Sequence, residues 1–249
     1  MVWARKSAFR RIKFMRADQS GSKDSLLRSM SFTAQDNFAI DNPVGVYGGT
    51  FDPVHQGHLH AAQTILATLG LDQIKMVLSA RPGHRGTPHC SVEDRWRMLE
   101  RACANIEGLV ADDREVVRPG KSFTFLTVRE YHAEGLIPCW IVGQDSFATL
   151  AEWHRWRELL HYCNFVVIER PGDAVPLPAD VMELEERYSV ATLDLSRTGQ
   201  IWRTNIPMLE ISATDIRKII GEGGDASDLL EETVWTYIRQ HNLYVEASV

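Results

Sequence analysis

Two histidines three residues apart, His55 and His58, follow a pair of glycines in this sequence. The stretch is VGVYGGTFDPVHQGH, residues 44–58, with Gly48-Gly49 after an apolar run and His55 and His58 where a helix should begin. Glycines let the backbone approach a ligand closely, and a helix N-terminus carries unpaired amides and a partial positive charge. Residues three apart share a helical face, so both imidazoles can point at one anion. The pattern predicts an enzyme that handles the phosphates of a nucleotide.

A metal site is the alternative explanation for these histidines. Zinc needs three or four protein ligands, usually supported by a neighbouring carboxylate, and His55 with His58 supply only two. His84, His89 and Cys90 form a second group of metal-binding residue types, but their spacing does not match a known ligand pattern. We therefore expect no metal ion held by the protein's own side chains.

Composition narrows the class of protein further. The chain has 249 residues, of which 44% are hydrophobic and 24% charged, as in ordinary globular proteins with a sizeable core. The net charge of −6 argues against a general nucleic-acid binder, and no apolar run approaches the roughly 20 residues that span a bilayer. Four scattered cysteines without a C-x-x-C motif indicate free thiols in a reducing compartment, so we expect a cytoplasmic protein.

Apolar segments that alternate with helical patterns must position the histidines. The predicted strands cover residues 43–47, 73–79, 109–117, 138–142, 164–168 and 201–206. The predicted helices cover residues 58–69, 91–105, 124–133, 153–162, 214–221 and 225–242, and residues 170–200 are left unassigned. Apolar strands that alternate with helices predict an α/β fold, a doubly wound, Rossmann-like and mostly parallel sheet with helices on both faces. Such a sheet binds ligands at the carboxyl ends of its strands, where Gly48-Gly49 and Gly143 both fall.

The first 40 residues differ from the rest. Basic residues crowd residues 5–16, followed by serine and glycine. We interpret residues 1–40 as a basic, disordered extension, with a transit segment or a start at Met30 as alternatives. Residues 42–249 then form a single domain without an internal linker.

Four motifs in a fixed order resemble one family. The segment HQGH at residues 55–58 is the signature of the nucleotidylyltransferase superfamily, and the longer GGTFDPVHQGHL is similar to bacterial nicotinate-nucleotide adenylyltransferases. Three further segments agree with that family: KSFT at residues 121–124 with Thr127, GQDS at 143–146 with a tryptophan segment at 153–156, and ISATDIR at 211–217. The resemblance extends from about residue 44 to 245.

The resemblance implies a reaction and an ATP site. The phosphate of nicotinate mononucleotide would attack the α-phosphorus of ATP, releasing pyrophosphate and giving deamido-NAD. His55, His58 and Arg217 would be the catalytic residues, with His58 on the transferring phosphate and Arg217 on the β- and γ-phosphates. The ATP-binding residues would be Gly48, Gly49, Thr50, Phe51, Gly57, Gly143, Asp145, Ser212 and Thr214. Mg²⁺ would enter with ATP as the cofactor, without protein carboxylates to hold it.

The second substrate needs a flat ring site and an anion site. By the family pattern Trp153 would stack on the nicotinate ring, and Thr124 and His154 would offer backbone amides to its carboxylate. The remaining residues assigned to nicotinate mononucleotide are Asp52, His84 and Arg85. The sequence departs from the family here, because Gly83 stands where a second proline is usual.

Three other functions stay open at this level. Pantetheine-phosphate adenylyltransferase performs the same chemistry on another acceptor, although the segment around Trp153 would then have no purpose. A non-catalytic nucleotide sensor on the same fold would not need His55, His58 and Arg217 together. An RNA-binding protein could use the basic tail. We expect ATP and nicotinate mononucleotide as partners, with no nucleic acid and no membrane, and a homo-oligomer is left open.

Overall fold

Six strands form one sheet at the centre of the protein. The computed structural model describes residues 42–83, 86–169 and 176–245. The strands are β1 (Pro43–Gly49), β2 (Ile74–Leu78), β3 (Leu109–Asp112), β4 (Ile137–Gly143), β5 (Asn164–Ile168) and β6 (Ile201–Thr204). Their order across the sheet is β3-β2-β1-β4-β5-β6, and each neighbouring pair is parallel. The predicted Rossmann-like parallel sheet is confirmed.

Helices cover both faces of this sheet. They are α1 (Gln56–Leu69), α2 (Val92–Ala104), α3 (Arg114–Val117), α4 (Thr124–Ala133), α5 (Gln144–Ala148), α6 (Ala179–Tyr188), α7 (Ala213–Gly221) and α8 (Glu232–Gln240). Short 3-10 helices lie at Leu150–Glu152, Trp156–His161 and Ser227–Leu229. The Ser91 hydroxyl caps α2 by accepting the amide of Asp94 at 3.0 Å, as its sequence position predicts.

Alternate residues of each strand feed two separate cores. On β4, Cys139 and Ile141 pack into one core, whereas Trp140 and Val142 pack into the other. The first core lies under α1, α2, α7 and α8, and the second under α4, α5, α6 and the 3-10 turns between α5 and β5. Burial on both faces explains why the strands are almost continuously hydrophobic. The site-bearing helices α1 and α7 therefore share one face of the sheet.

Two elements are shorter than their hydrophobic pattern predicts. The strand predicted at 109–117 ends at Asp112, because the Asp112 carboxylate accepts the Arg114 amide at 3.0 Å and turns the chain into α3. The helix predicted at 153–162 is only the 3-10 helix Trp156–His161, because Arg155 before it adopts a left-handed φ of +55°.

Two further corrections lie in the C-terminal half. The helix predicted at 225–242 is divided, since the Glu231 side chain caps α8 by accepting the amide of Thr233 at 2.8 Å and so starts it late. The unassigned region 170–200 contains α6. Both differences come from local side-chain hydrogen bonds or from tertiary packing that hydrophobic spacing does not encode.

The described residues all belong to one compact unit, Ala39–Val249. The extension predicted for residues 1–40 lies outside the described residues. Within the described part, no helix has both the length and the apolar character needed to cross a membrane. Cys103, Cys139 and Cys163 are free and buried there, and burial raises the pKa of the Cys103 and Cys139 thiols to about 12.

Candidate active site

The turn between β1 and α1 brings the two histidines together. Their rings lie 3.7 Å apart between centroids and are tilted by 31°. His55 is the N-cap of α1 and is 5% exposed, whereas His58, in the first turn, is only half-buried. The turn lies at the carboxyl end of β1 and next to β4, where the strand order reverses. This switch point is where open α/β sheets bind ligands.

A hydrogen bond fixes which nitrogen of His58 faces the rim. The backbone amide of His55 donates to Nδ1 of His58 at 3.3 Å. A neutral imidazole that accepts at Nδ1 carries its proton on Nε2. His58 therefore presents an Nε2–H donor, which suits a phosphate oxygen.

Glycine is required at two positions of this motif by close packing. A Cβ on Gly57 would lie 3.0 Å from Nδ1 of His55, so the glycine makes room for the ring to fold back over α1. A Cβ on Gly48 would lie 2.5 Å from the Trp140 indole on β4. Gly48 therefore serves strand packing, and its predicted contact with ATP stays a prediction.

Phe51 shapes the turn from below. It is 2% exposed and adopts a left-handed φ of +47°, and its ring meets the His58 ring edge-on at 5.0 Å between centroids. A left-handed non-glycine residue costs free energy and is typical of functional turns. With the side chain buried, only the backbone of Phe51 can face a nucleotide.

A buried arginine that the sequence analysis missed holds the floor of the turn. Arg95 on α2 is 1% exposed, and its guanidinium donates to the carbonyls of Thr50, Ser79 and Ala80, each at 2.9 Å. It thus ties the end of β1 to the end of β2. Burial lowers the pKa of Arg95, while the nearby charge of Asp52 opposes that effect. Its location places a positive charge beneath the predicted anion site.

The start of α7 completes the triphosphate side. Ser212 caps α7 by accepting the amide of Asp215 at 3.1 Å, as expected for its position. Arg217 donates to the backbone carbonyl of Asp52 at 2.7 Å and to the Thr214 hydroxyl at 3.2 Å. The structure therefore brings Arg217 and Thr214 to the turn that carries His55, although 159 or more residues separate them in the chain.

Asp52 joins several segments rather than lying open to a ligand. Its carboxylate is buried and accepts the amides of His89 at 2.7 Å and Cys90 at 3.3 Å, and the Tyr244 hydroxyl at 2.8 Å. The imidazole of His89 lies 3.4 Å from the same carboxylate. The assignment of Asp52 to nicotinate mononucleotide stays a prediction, and the structure shows these four partners for it.

The carboxyl end of β4 forms the other wall of the switch point. Gly143 ends β4 and precedes α5, and Asp145 lies in the first turn of α5. The Asp145 carboxylate folds back toward Gly143, since a Cβ on that glycine would lie 2.7 Å from Oδ1. Both predicted ATP residues therefore lie at the rim that β1 and β4 share.

Two residues predicted for the acceptor are neighbours. Thr124 is the first residue of α4, and the preceding Phe123 stacks on the His154 ring at 4.5 Å between centroids. Phe125 approaches the same imidazole edge-on at 6.0 Å. Trp153 is half-buried against the core beneath α4. Thr124 and His154 are thus brought together from 30 residues apart.

Two residues of the S-F-T-x-x-T motif, Ser122 and Thr127, make hydrogen bonds that support the fold. The Ser122 hydroxyl accepts the Arg81 amide at 3.1 Å, and the Thr127 hydroxyl donates to the Glu115 carboxylate at 2.5 Å. Glu115 is 5% exposed, and burial raises its pKa, although the Thr127 and Ser122 hydrogen bonds and Arg118 lower it. These contacts anchor the start of α4 to the end of β2. Ser122 and Thr127 therefore hold α4 in place from beneath.

Two residues that the sequence predicts for the acceptor site are not among the described residues. His84 and Arg85 lie outside the described residues, so their predicted role is unchanged. Among the residues that the structure describes, no group of three His, Cys, Asp or Glu side chains is arranged to hold a metal ion. His89 lies beside Asp52, as described above.

One sequence feature could have revealed Arg95. The buried residues of α2 follow a helical stripe, and a single charged residue lies in that stripe. The stripe consists of Arg95, Met98, Leu99, Ala102 and Cys103. A charge at a stripe position indicates a buried, hydrogen-bonded group. Tyr244 had no comparable signal, because its partner Asp52 lies 192 residues away in the chain.

Fold and turn together define a nucleotide-handling α/β protein of the cytidylyltransferase-like class, whose family model matches residues 46–219. Curated bacterial relatives make the assignment narrower. A protein of Aeromonas hydrophila named "Probable nicotinate-nucleotide adenylyltransferase" is 41% identical over 209 residues, covering 81% of this chain and 97% of its own. A Pseudomonas fluorescens protein with the same name is 40% identical over 210 residues, covering 81% and 96%. The chain belongs to the nicotinate-nucleotide adenylyltransferase family.

Solved structures agree on the fold. The nicotinic acid mononucleotide adenylyltransferase of Plasmodium falciparum, solved in complex with NaAD, superimposes with a TM-score of 0.62. It is 18% identical and covers 82% of this chain and 97% of its own. The same enzyme complexed with APC gives a TM-score of 0.59. At this identity the likeness supports the fold alone.

Proposed function

We propose that this protein transfers AMP from ATP to nicotinate mononucleotide, giving deamido-NAD and pyrophosphate in NAD biosynthesis. One observation carries the proposal: His58, with its Nε2–H donor, and Arg217 meet at the switch point of the sheet in a chain 41% identical to a protein named for this activity. The site holds donors for a polyphosphate. Direct transfer between two bound nucleotides fits that set of groups.

The reaction is an in-line displacement at phosphorus. A phosphate oxygen of nicotinate mononucleotide forms a bond to the α-phosphorus of ATP as the bond from that phosphorus to the bridging β-oxygen breaks. Pyrophosphate leaves with the electron pair. His58 donates through Nε2 to the α-phosphate, whose charge is redistributed in the transition state. Arg217, which contacts Asp52 and Thr214 in this structure, binds the β- and γ-phosphates with its planar fork of donors.

The acceptor side favours an acid over an amide. Thr124 begins α4, a helix of ten residues, whose first amides have no partner within the helix. The positive end of the helix dipole favours a carboxylate there. Nicotinate carries that carboxylate and nicotinamide does not. Trp153 and the stacked pair Phe123–His154 would provide the flat surface that a pyridine ring needs.

We also propose Mg²⁺ as the cofactor, entering with ATP. The chemistry of the donor set fits this route, because the Asp52 carboxylate is occupied by three donors and Asp145 is a single carboxylate at the rim. Magnesium is usually held by substrate phosphates and water with few protein ligands. When bound it offsets the negative charge of the triphosphate. We expect free nucleotides as substrates, no nucleic-acid or membrane partner, and a cytoplasmic location.

Initial rates of pyrophosphate release test the proposal. The purified full chain is assayed with ATP and magnesium against nicotinate mononucleotide, nicotinamide mononucleotide and phosphopantetheine. We expect turnover with the first, weaker turnover with the second and none with the third. Turnover only with phosphopantetheine would identify the alternative acceptor, and nucleotide binding without turnover on any acceptor would identify a sensor.

A further inference from the structure

The C-terminal segment after α8 reaches back to the catalytic turn. Tyr244 is half-buried, and its hydroxyl donates to Oδ1 of Asp52 at 2.8 Å, across 192 residues of sequence. Burial raises the pKa of Tyr244 far above its usual range, so the phenol stays protonated and donates at every physiological pH. This hydrogen bond links the end of the described chain to the residue that follows Phe51.

Two left-handed residues bend the backbone next to this contact. Asn242 and Tyr244 both have left-handed φ values, +48° and +64°, although neither is glycine. Such conformations are sparsely populated and persist where the surrounding structure fixes them. The bends follow the end of α8 and aim the phenol at the turn.

Asp52 is the point at which both sides of the site meet. Its backbone carbonyl accepts from Arg217 at 2.7 Å, which belongs to the triphosphate side. Its carboxylate accepts the amides of His89 and Cys90, which belong to the loop at residues 86–91 that follows the predicted acceptor residues. In-line transfer requires the attacking oxygen and the phosphorus to be held in register, and a displacement of about 1 Å costs roughly 100-fold in rate.

We propose that Tyr244 is a positioning residue for adenylyl transfer, whose hydroxyl holds the Asp52 carboxylate and so keeps the loop at residues 86–91 in register with Arg217. The inference rests on the function proposed above. Tyr244 acts through Asp52 and touches no substrate. Loss of its hydroxyl loosens the alignment of the two substrates more than it weakens the binding of either one.

A second tyrosine, seven residues earlier in the chain, provides the control. Tyr237 on α8 is also buried, and its hydroxyl also donates to a carboxylate, that of Asp94 on α2 at 3.0 Å. Asp94 belongs to α2 and not to the turn that carries the histidines. Y237F therefore removes the same hydroxyl and a similar hydrogen bond without touching Asp52.

The experiment compares Y244F and Y237F in the full chain. We expect Y244F to lower kcat about ten-fold while KM for ATP stays within about two-fold, since alignment rather than binding is lost. Hydrogen exchange at the His89 and Cys90 amides should become faster in Y244F and not in Y237F. Y237F should keep kcat within about two-fold. The inference is overturned if kcat of Y244F stays within two-fold, or if Y237F loses as much.

Asp52→Asn tests the same hydrogen bond from its acceptor side. It preserves size and should lower kcat by a similar factor, and adding Y244F to it should cost nothing further, whereas additive losses would contradict a shared pathway. Failure of the proposed function is distinguishable, because wild-type enzyme would then be inactive with nicotinate mononucleotide. The hydrogen-exchange measurement needs no substrate, so it would still test whether Tyr244 holds the loop at residues 86–91.

Discussion

The triphosphate side and the acceptor side of the rim differ in how their residues are brought together. On the triphosphate side, His55 and His58 lie in one helix start, and only Arg217 comes from far along the chain. On the acceptor side, Thr124 and His154 lie in different elements and meet through the ring of Phe123. The first is a preformed local motif, whereas the second exists only once α4 and the segment after α5 have packed.

This difference has an energetic counterpart. The triphosphate turn is fixed from beneath by the buried guanidinium of Arg95, which contacts three carbonyls. The acceptor side is fixed by a hydrogen-bonded cluster of Glu115, Ser122 and Thr127, which Arg118 joins through Thr127 at 3.0 Å. A buried cation favours the binding of polyphosphate, whereas on the acceptor side the start of α4 contributes the positive end of its helix dipole.

The largest effect should come from removing the floor of the triphosphate turn. Arg95→Met removes a buried guanidinium and leaves the carbonyls of Thr50, Ser79 and Ala80 without their donor, so we expect a loss of about 3–5 kcal/mol in the free energy of unfolding. Urea unfolding measures it. Arg97→Met on the exposed face of the same helix is the control and should change stability by about 0.5 kcal/mol or less. A loss under about 1 kcal/mol for Arg95→Met would show that the turn stands without the guanidinium.

The second effect concerns catalysis on the same side. His58→Ala removes the Nε2–H donor, and we expect kcat to fall by about 10²–10³ with the fold intact. Single-turnover kinetics at saturating nucleotide measure the chemical step. His60→Gln, on the same helix, keeps a donor for the Pro207 carbonyl and should leave kcat nearly unchanged. Unchanged turnover in His58→Ala would remove this histidine from the catalytic assignment.

A smaller effect should separate the acceptor side from the triphosphate side. Phe123→Ala removes the ring stacked on His154, an interaction of about 0.5–1.5 kcal/mol, and should raise KM for nicotinate mononucleotide by about 2–10-fold. KM for ATP should not change. His161→Ala, at an exposed position, is the control and should leave both KM values unchanged. Equal changes in both KM values would mean that the two sides are not independent.

The smallest effect is a pH dependence confined to the acceptor side. Burial raises the pKa of Glu115. The folded protein therefore keeps this carboxyl protonated at pH values where the unfolded chain, with a pKa of about 4.3, has lost the proton. Glu115 therefore adds stability at low pH, and that contribution falls as pH rises through the raised pKa. Glu115→Gln should flatten this part of a pH profile of unfolding free energy. An unchanged profile would indicate that Glu115 is ionised when folded.

Most of the fold could be predicted from hydrophobic spacing. Strands buried on both faces are continuous apolar runs, and β2, β4, β5 and β6 lie close to their predicted ranges. The errors occurred where a single side chain redirects the backbone: Asp112 ends β3 early, and Arg155 with its left-handed φ prevents a helix from starting at Trp153. Periodicity averages over several residues, so it does not detect such single events.

The sequence by itself determined that His55, Gly57 and His58 lie together, because they fall within four consecutive residues at the start of α1. It also determined the parallel α/β sheet, through alternation of apolar strands and helices. Only the tertiary structure decided that Arg95 supports the turn, that Glu115 supports α4, and that Tyr244 and Arg217 converge on Asp52. These contacts join residues 12 to 192 positions apart in the chain. Which distant residues come into contact and which are buried is set by the folded backbone and not by a local pattern.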